Sequence, residues 1–161
     1  MTRKVFFSFH YERDAWRAGV VRNSGITQDV AGFIDSSDWE KIKGRGDDAI
    51  KKWILDQLDG TSVTVVLIGA ETNTRQWVQH ELNQSWVKGN GILGIFIHQI
   101  KDQNSQTDTK GSTSFGSIFK MNPDDGKQFF HERFLTYDWV DNDGYHKLDK
   151  WIETAASNAG K

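Results

Sequence analysis

Short apolar runs alternate along the chain with longer stretches in which apolar residues recur at helical spacing. Runs rich in β-branched and aromatic residues predict strands at 4–9, 30–34, 61–69 and 92–97, and a shorter run at 137–140 predicts a fifth. Helical spacing predicts helices at 12–21, from Asp47 to the break at Gly60, and at 75–88. A last helix carries Leu148, Trp151, Ile152 and Ala155, with Asp143 as its N-cap.

Strands that alternate with helices are typical of a parallel sheet covered on both faces. We therefore predict an α/β three-layer sandwich with a five-stranded, mainly parallel sheet. The polar stretch 99–116 reads as a long loop, and 125–134 as a short helix ahead of the fifth strand. Because no repeat or linker divides the chain, we expect residues 1–161 to form a single domain.

The composition excludes several classes of function. The net charge of −2 gives no general attraction to nucleic acid or to an anionic membrane surface. The chain has no cysteine, so it has no thiolate nucleophile and no disulfide. No segment is long enough to span a bilayer, and the apolar run 5–9 is too short for a signal peptide. We expect a cytoplasmic protein that binds neither nucleic acid nor membrane.

Polar and aromatic residues are concentrated where the predicted strands end. In a doubly wound sheet ligands bind beyond the carboxyl ends of the strands. There the sequence places Ser8, Phe9 and His10 after the first strand, and Asp35, Ser36 and Trp39 after the second. We treat these six residues as candidate substrate-binding residues, although each could instead fill a strand end, a turn or the core.

Trp77 and Glu81 lie four residues apart on the predicted helix 75–88, so they share a face. Val78, Leu82 and Trp86 form the stripe that should face the sheet, which places Glu81 about 100° around the helix from it. A carboxylate beside an indole at a cleft edge suits chemistry on a flat, cationic or sugar-bearing substrate. An ordinary solvated glutamate beside a partly buried tryptophan is the plainer alternative.

The sequence positions of the glycines and histidines argue against two other kinds of site, a dinucleotide-binding motif and a metal site. The glycines at 89, 91 and 94 match G-x-G-x-x-G, but they end a helix and enter a strand, the reverse of a dinucleotide fingerprint. Gly89 is better read as a helix C-cap. The five histidines show no metal-ligand spacing, so no metal site is predicted.

The candidate residues, in this order, resemble the TIR-domain superfamily. More closely, they resemble the bacterial TIR-like proteins of the Thoeris anti-phage system, the ThsB component. The similarity rests on the segments 4–11, 21–24 and 33–39 and on Trp77-x-x-x-Glu81-Leu82. The fold that this resemblance implies is flavodoxin-like.

The resemblance implies an enzyme that cleaves NAD at the nicotinamide–ribose bond, with Glu81 as the catalytic residue. Trp39, Trp77 and Phe9 would supply aromatic faces for the bases, and Ser8, His10, Asp35 and Ser36 would orient ribose and phosphate oxygens. NAD would be a substrate, with no prosthetic group. Thoeris members make a cyclic ADP-ribose isomer that activates a partner effector, and TIR-type enzymes often self-associate to complete the site.

Two other functions remain open at this point. The chain could be a non-catalytic TIR-like module that signals through its surface. It could also transfer ribosyl groups from nucleosides, with the same carboxylate as nucleophile.

Overall fold

The computed structural model describes residues 2–24, 26–34, 36–115 and 130–161, and only the backbone of Ser36. Strands and helices alternate along the chain as predicted. In chain order they are β1 Lys4–Ser8, α1 Ala15–Arg22, β2 Asp29–Ala31, α2 Ser36–Lys43, α3 Asp47–Leu58, β3 Val63–Ile68, α4 Gln76–Lys88, β4 Gly91–Phe96, α5 Phe130–Arg133, β5 Thr136–Asp138 and α6 Gly144–Asn158.

The strands form one five-stranded sheet in the order β2-β1-β3-β4-β5. All four pairings are parallel. The flavodoxin-like α/β prediction is therefore confirmed, and every strand ends at the same edge of the sheet. That edge is where a doubly wound fold binds its ligands.

Alternate residues of β3 divide the core between the two faces of the sheet. Val66 and Ile68 pack with Val78 and Leu82 of α4. Val65 and Leu67 belong to the larger cluster that contains Leu148 and Ile152 of α6. Because successive side chains of a strand point to opposite faces, α4 and α6 cover opposite sides of the sheet.

One glycine shows how closely two of these layers approach. A Cβ added at Gly91 of β4 would lie 2.4 Å from the carbonyl oxygen of Ala155, so α6 touches the strand backbone directly.

Gly89 ends α4 at a φ of 84°, in the left-handed region, and its N–H donates to the carbonyl oxygens of Ser85 and Trp86. The C-cap prediction for Gly89 is confirmed, and the dinucleotide reading of these glycines stays excluded.

The structure differs from the sequence-based prediction at several element ends. Helix α2 was not predicted from the sequence, and β2 has only three residues. Helix α1 begins at Ala15 because residues 11–13 form a turn. Asp143 precedes α6 as predicted, but its carboxylate bonds Nδ1 of His146 at 2.9 Å and caps no backbone N–H.

The short helix predicted at 125–134 is only partly within the described residues, where α5 spans Phe130–Arg133. In the described part of the chain, no helix combines the length and the apolar character needed to cross a bilayer.

Candidate active site at the end of strand β1

Helix α4 carries a carboxylate on a buried face. Its fully buried side chains are Val78, Glu81, Leu82 and Ser85. The sequence placed Glu81 about 100° around the helix from the sheet-facing stripe. The surroundings were not foreseen: the end of β1 and the aromatic side chains beside it cover this second face of α4. Glu81 is thus 0% exposed instead of lining an open cleft.

Two hydroxyl groups hold the Glu81 carboxylate. Ser8, the last residue of β1, donates from Oγ to Oε1 at 3.0 Å, and Tyr11 donates from its phenol to Oε2 at 2.5 Å. Burial raises the pKa of Glu81 to about 8, and the hydrogen bonds from Tyr11 and Ser8 oppose this rise. Burial, followed by the nearby Glu81, raises the pKa of Tyr11 well above its ordinary value. In the resting site the Glu81 carboxyl and the Tyr11 phenol therefore both carry little charge at neutral pH.

Tyr11 belongs to an aromatic cluster that lies over this carboxylate. Its ring is 4.6 Å from that of Phe9, 4.7 Å from Trp39 and 5.7 Å from Trp53. Phe33 extends the cluster through its contact with Phe9, at 5.3 Å. Phe9 and Trp39 were predicted for the site and are found together here; both are almost completely buried.

Tyr11 and Trp53 were missed by the sequence analysis. The signal for Tyr11 was its position three residues beyond Ser8, in the same strand end. Trp53 gave no separate signal, because its position in the helical repeat of α3 is that of a core residue.

Helix α2 is tied to the turn after β1 by one carboxylate. Trp39 Nε1 donates to Oε1 of Glu12 at 3.3 Å, and Lys43 Nζ lies 2.5 Å from the same oxygen. The bonds to Lys43 and Trp39 lower the pKa of Glu12, with the Lys43 contribution the larger. These contacts place the Trp39 indole against Tyr11.

A small hollow lies on the outer side of Tyr11. Phe9, His10, Tyr11, Trp39, Arg75 and Trp77 are among the residues that line it. Its volume is ≈ 20 Å³, room for about one water molecule. His10 has a lowered pKa because of burial and the charge of Arg75. The Trp77 ring meets His80 edge-on at 5.8 Å.

A larger groove begins on the other side of Phe9, between α1 and the pair α2–α3. It measures ≈ 610 Å³, within the roughly 300–1,000 Å³ range of small-molecule sites. Phe9, Phe33 and Trp53 form apolar walls, and Asp38 and Arg22 add charge. The Arg22 guanidinium lies over the Phe33 ring, 5.1 Å from its centroid.

The predicted site residues are thus only partly accounted for by the structure. Ser8, Phe9, His10, Trp39, Trp77 and Glu81 come together at the end of β1. Asp35 lies outside the described residues. The backbone of Ser36 begins α2, and its side chain lies outside the description.

The polar loop after β4 lies across the carboxyl edge of the sheet. Arg17 of α1 donates to the carbonyl oxygens of Ile100 at 2.7 Å and Gln106 at 2.9 Å, and Arg13 pairs with Asp108. Next to Arg13, burial raises the pKa of Asp14 to about 6. Across the described ranges, no three histidine, aspartate or glutamate side chains converge as metal ligands would.

Two comparisons with known proteins bear on this site. The family model described as "Thoeris protein ThsB, TIR-like domain" matches residues 6–102, which include the carboxyl end of β1 and the whole of α4. A protein of Bacillus cereus (strain MSX-D12), named "Putative cyclic ADP-D-ribose synthase ThsB1", is 35% identical to this chain. That alignment covers 94% of this chain and 100% of the relative.

Proposed function

The chain belongs to the Thoeris ThsB family of TIR-like domains, and on that premise we propose that it cleaves NAD at the nicotinamide–ribose bond and forms a cyclic ADP-ribose isomer. The name of the Bacillus cereus relative supports this reaction class. We further propose that residues 1–161 act as one TIR-like domain. The observation that carries the proposal is a buried carboxylate, Glu81, held at the end of β1 by two hydroxyl donors.

The chemistry requires little beyond this carboxylate. Nicotinamide in NAD is already a cationic leaving group, so its departure needs no strong acid. The ribose that remains resembles an oxocarbenium ion, a charge that a nearby carboxylate stabilises in glycoside cleavage. In an apolar surrounding this stabilisation is stronger than in water. The developing positive charge also favours the ionised form of Glu81, which the resting site disfavours.

The hollow beside Tyr11 is too small for a dinucleotide, but the neighbouring groove is not. We assign the nicotinamide–ribose end to the hollow after it opens, and the adenosine end to the groove. Phe9 lines both, and Arg22 offers a guanidinium suited to the diphosphate. His10, Trp39 and Trp77 would contact the substrate from the hollow, and Asp35 and Ser36 remain predicted ribose or phosphate contacts.

Cyclisation requires that water be kept from the ribose cation while an adenine nitrogen reaches it. The cluster of Phe9, Tyr11, Trp39 and Trp53 supplies an apolar wall beside Glu81. Such a wall favours attack by the adenine over attack by solvent. We therefore favour the cyclic product over free ADP-ribose.

We propose that the product acts as a messenger to a downstream effector, that the protein acts in the cytoplasm, and that self-association contributes to its activity. NAD serves as substrate and not as a bound prosthetic group. These proposals follow from the family resemblance.

One observation favours a second candidate, a non-catalytic signalling module. Glu81 has no exposed surface, because Tyr11 and its aromatic neighbours lie over it. A module that signals through its surface would have no need to uncover this residue. The enzyme hypothesis, in contrast, requires the site to open.

A product analysis with Glu81→Gln separates these functions. Wild-type protein incubated with NAD, with and without lysate from phage-infected cells, should release nicotinamide and a cyclic ADP-ribose isomer by mass spectrometry. Parallel incubations with nucleosides test ribosyl transfer. Glu81→Gln should reduce NAD cleavage by at least about 100-fold, because glutamine cannot stabilise the ribose cation as a carboxylate does.

The matched control is Glu153→Gln on α6, whose exposed carboxylate pairs with Arg3. It should leave NAD cleavage unchanged. Wild-type cleavage that persists in Glu81→Gln would contradict the assignment of Glu81. A wild-type protein that consumes no NAD with the lysate present would favour the module.

A further inference from the structure

Both oxygens of the Glu81 carboxylate are already occupied by donors from the protein itself. Ser8 donates a hydrogen bond to Oε1, and Tyr11 donates one to Oε2. A ribose presents the same kind of group, a hydroxyl that donates to a carboxylate oxygen. A substrate hydroxyl that approaches Oε2 from the side of the Tyr11 phenol therefore has to replace it.

Tyr11 also stands in the way sterically. Tyr11 is 3% exposed and lines the small hollow, whereas Glu81 lies behind it with no exposed surface. Phe9 and Trp39 hold the ring from two sides, and Trp53 meets it edge-on. In this arrangement the Tyr11 side chain separates the hollow from the carboxylate.

Of the two donors, Tyr11 is the one placed to move. Ser8 is a residue of β1, paired in the sheet with Val66 of β3. Tyr11 lies in the turn between β1 and α1, next to Glu12, which Trp39 and Lys43 of α2 bind. A displacement of α2 would thus act on the residue adjacent to Tyr11.

We propose that Tyr11 is the gating residue of this site: its phenol occupies the place of a substrate hydroxyl on Glu81, and its displacement opens the carboxylate to the substrate. The inference rests on the proposed function for its substrate, but the gating itself is a property of the closed site. Tyr11 acts through Glu81 and is a positioning residue, not a catalytic one.

The test is Tyr11→Phe, which keeps the ring and its packing and removes only the hydroxyl. Without the phenol the closed state loses a hydrogen bond to a carboxylate, so a larger fraction of molecules is open. The apparent KM for NAD should fall about tenfold, the effect of one buried hydrogen bond on the open fraction, with kcat changed less than about twofold. Tyr145→Phe, at an exposed tyrosine of α6, is the control and should change neither value.

A second measurement is independent of NAD. A water-soluble carbodiimide with an amine modifies accessible carboxyl groups, and peptide mass spectrometry reports the rate at Glu81. Tyr11→Phe should be modified about tenfold faster than wild type, and Tyr145→Phe at the wild-type rate. Circular dichroism on the same samples verifies that the variants are folded.

The two proposals fail in different ways. Unchanged modification of Glu81 in folded Tyr11→Phe overturns the gate, and so does an unchanged or raised KM in an enzyme that Glu81→Gln inactivates. If wild-type protein cleaves no NAD under any condition, the proposed function fails. The modification rates then still decide the gate.

Discussion

At the scale of single residues, the Glu81 carboxyl makes the stability of the protein depend on pH. Burial raises the pKa of Glu81 from 4.5 to about 8, so the folded state binds a proton more tightly than the unfolded chain. This contribution to stability is fully present below the unfolded pKa. It is lost as the pH rises through the folded pKa of about 8.

We therefore expect the free energy of unfolding to fall between pH 5 and pH 9, by about 2–4 kcal/mol from this residue alone. Glu81→Gln, which has no proton to lose, should flatten the profile over that range. Urea denaturation at pH 5, 7 and 9 measures it. The exposed-site control Glu153→Gln should follow the wild type, and a Glu81→Gln profile parallel to the wild type would show that Glu81 is not the group responsible.

The sequence was sufficient to place Ser8, Phe9, His10, Trp39, Trp77 and Glu81 at one end of the sheet. Parallel strands end at a common edge, so the end of β1 and the helix after β3 had to be close. The hydrogen bond between Tyr11 and Glu81 joins residues 70 positions apart. Helical and strand periodicity describe one element at a time and carry no information about such a contact.

At the scale of elements, helix α4 is buried on two faces rather than one. A single apolar stripe predicts contact with the sheet alone, which explains why the sequence suggested a partly solvated Glu81. Helix α2 was also missed. Its sequence SSDWEKIK contains only Trp39 and Ile42 as large apolar residues, too few to give a helical stripe by themselves.

The contact of α6 with β4 offers a prediction about packing. Gly91→Ala would place a methyl group 2.4 Å from the backbone oxygen of Ala155, and neither backbone can move without disturbing its element. We expect a loss of about 2–3 kcal/mol in the free energy of unfolding, by thermal or chemical denaturation.

Gly19→Ala is the matched control, because a Cβ at Gly19 of α1 meets no atom within 4 Å. Alanine favours the helix over glycine, so this variant should gain about 0.5–1 kcal/mol. Equal losses in both variants would mean that the contact of α6 with β4 is looser than the structure shows.

At the scale of the whole molecule, the loop after β4 is bound by arginines from the N-terminal part of the chain. Arg17 is almost completely buried and bonds the backbone at Ile100 and Gln106. The sequence predicted a long polar loop here, without any indication of what it contacts. The arginines that hold it lie more than 80 residues away, and no local pattern identified them.

Arg17→Met should release this loop while preserving most of the apolar stem of the side chain. Because two backbone carbonyls would lose their donor, we expect amide hydrogen exchange at 101–108 to accelerate at least about tenfold. Mass spectrometry of peptic peptides measures it. Arg3→Met, which removes the ion pair with Glu153, should leave this segment unchanged; equal acceleration in both variants would contradict the role of Arg17.

The ion pair between Glu12 and Lys43 has a consequence for the conditions under which the protein acts. Both side chains are about one-third exposed, so dissolved ions reach them and weaken their attraction. Whatever moves α2 away from the turn after β1 must separate these two charges. The ionic strength of the surroundings therefore sets how tightly α2 is held to that turn, and a rise in salt weakens the link.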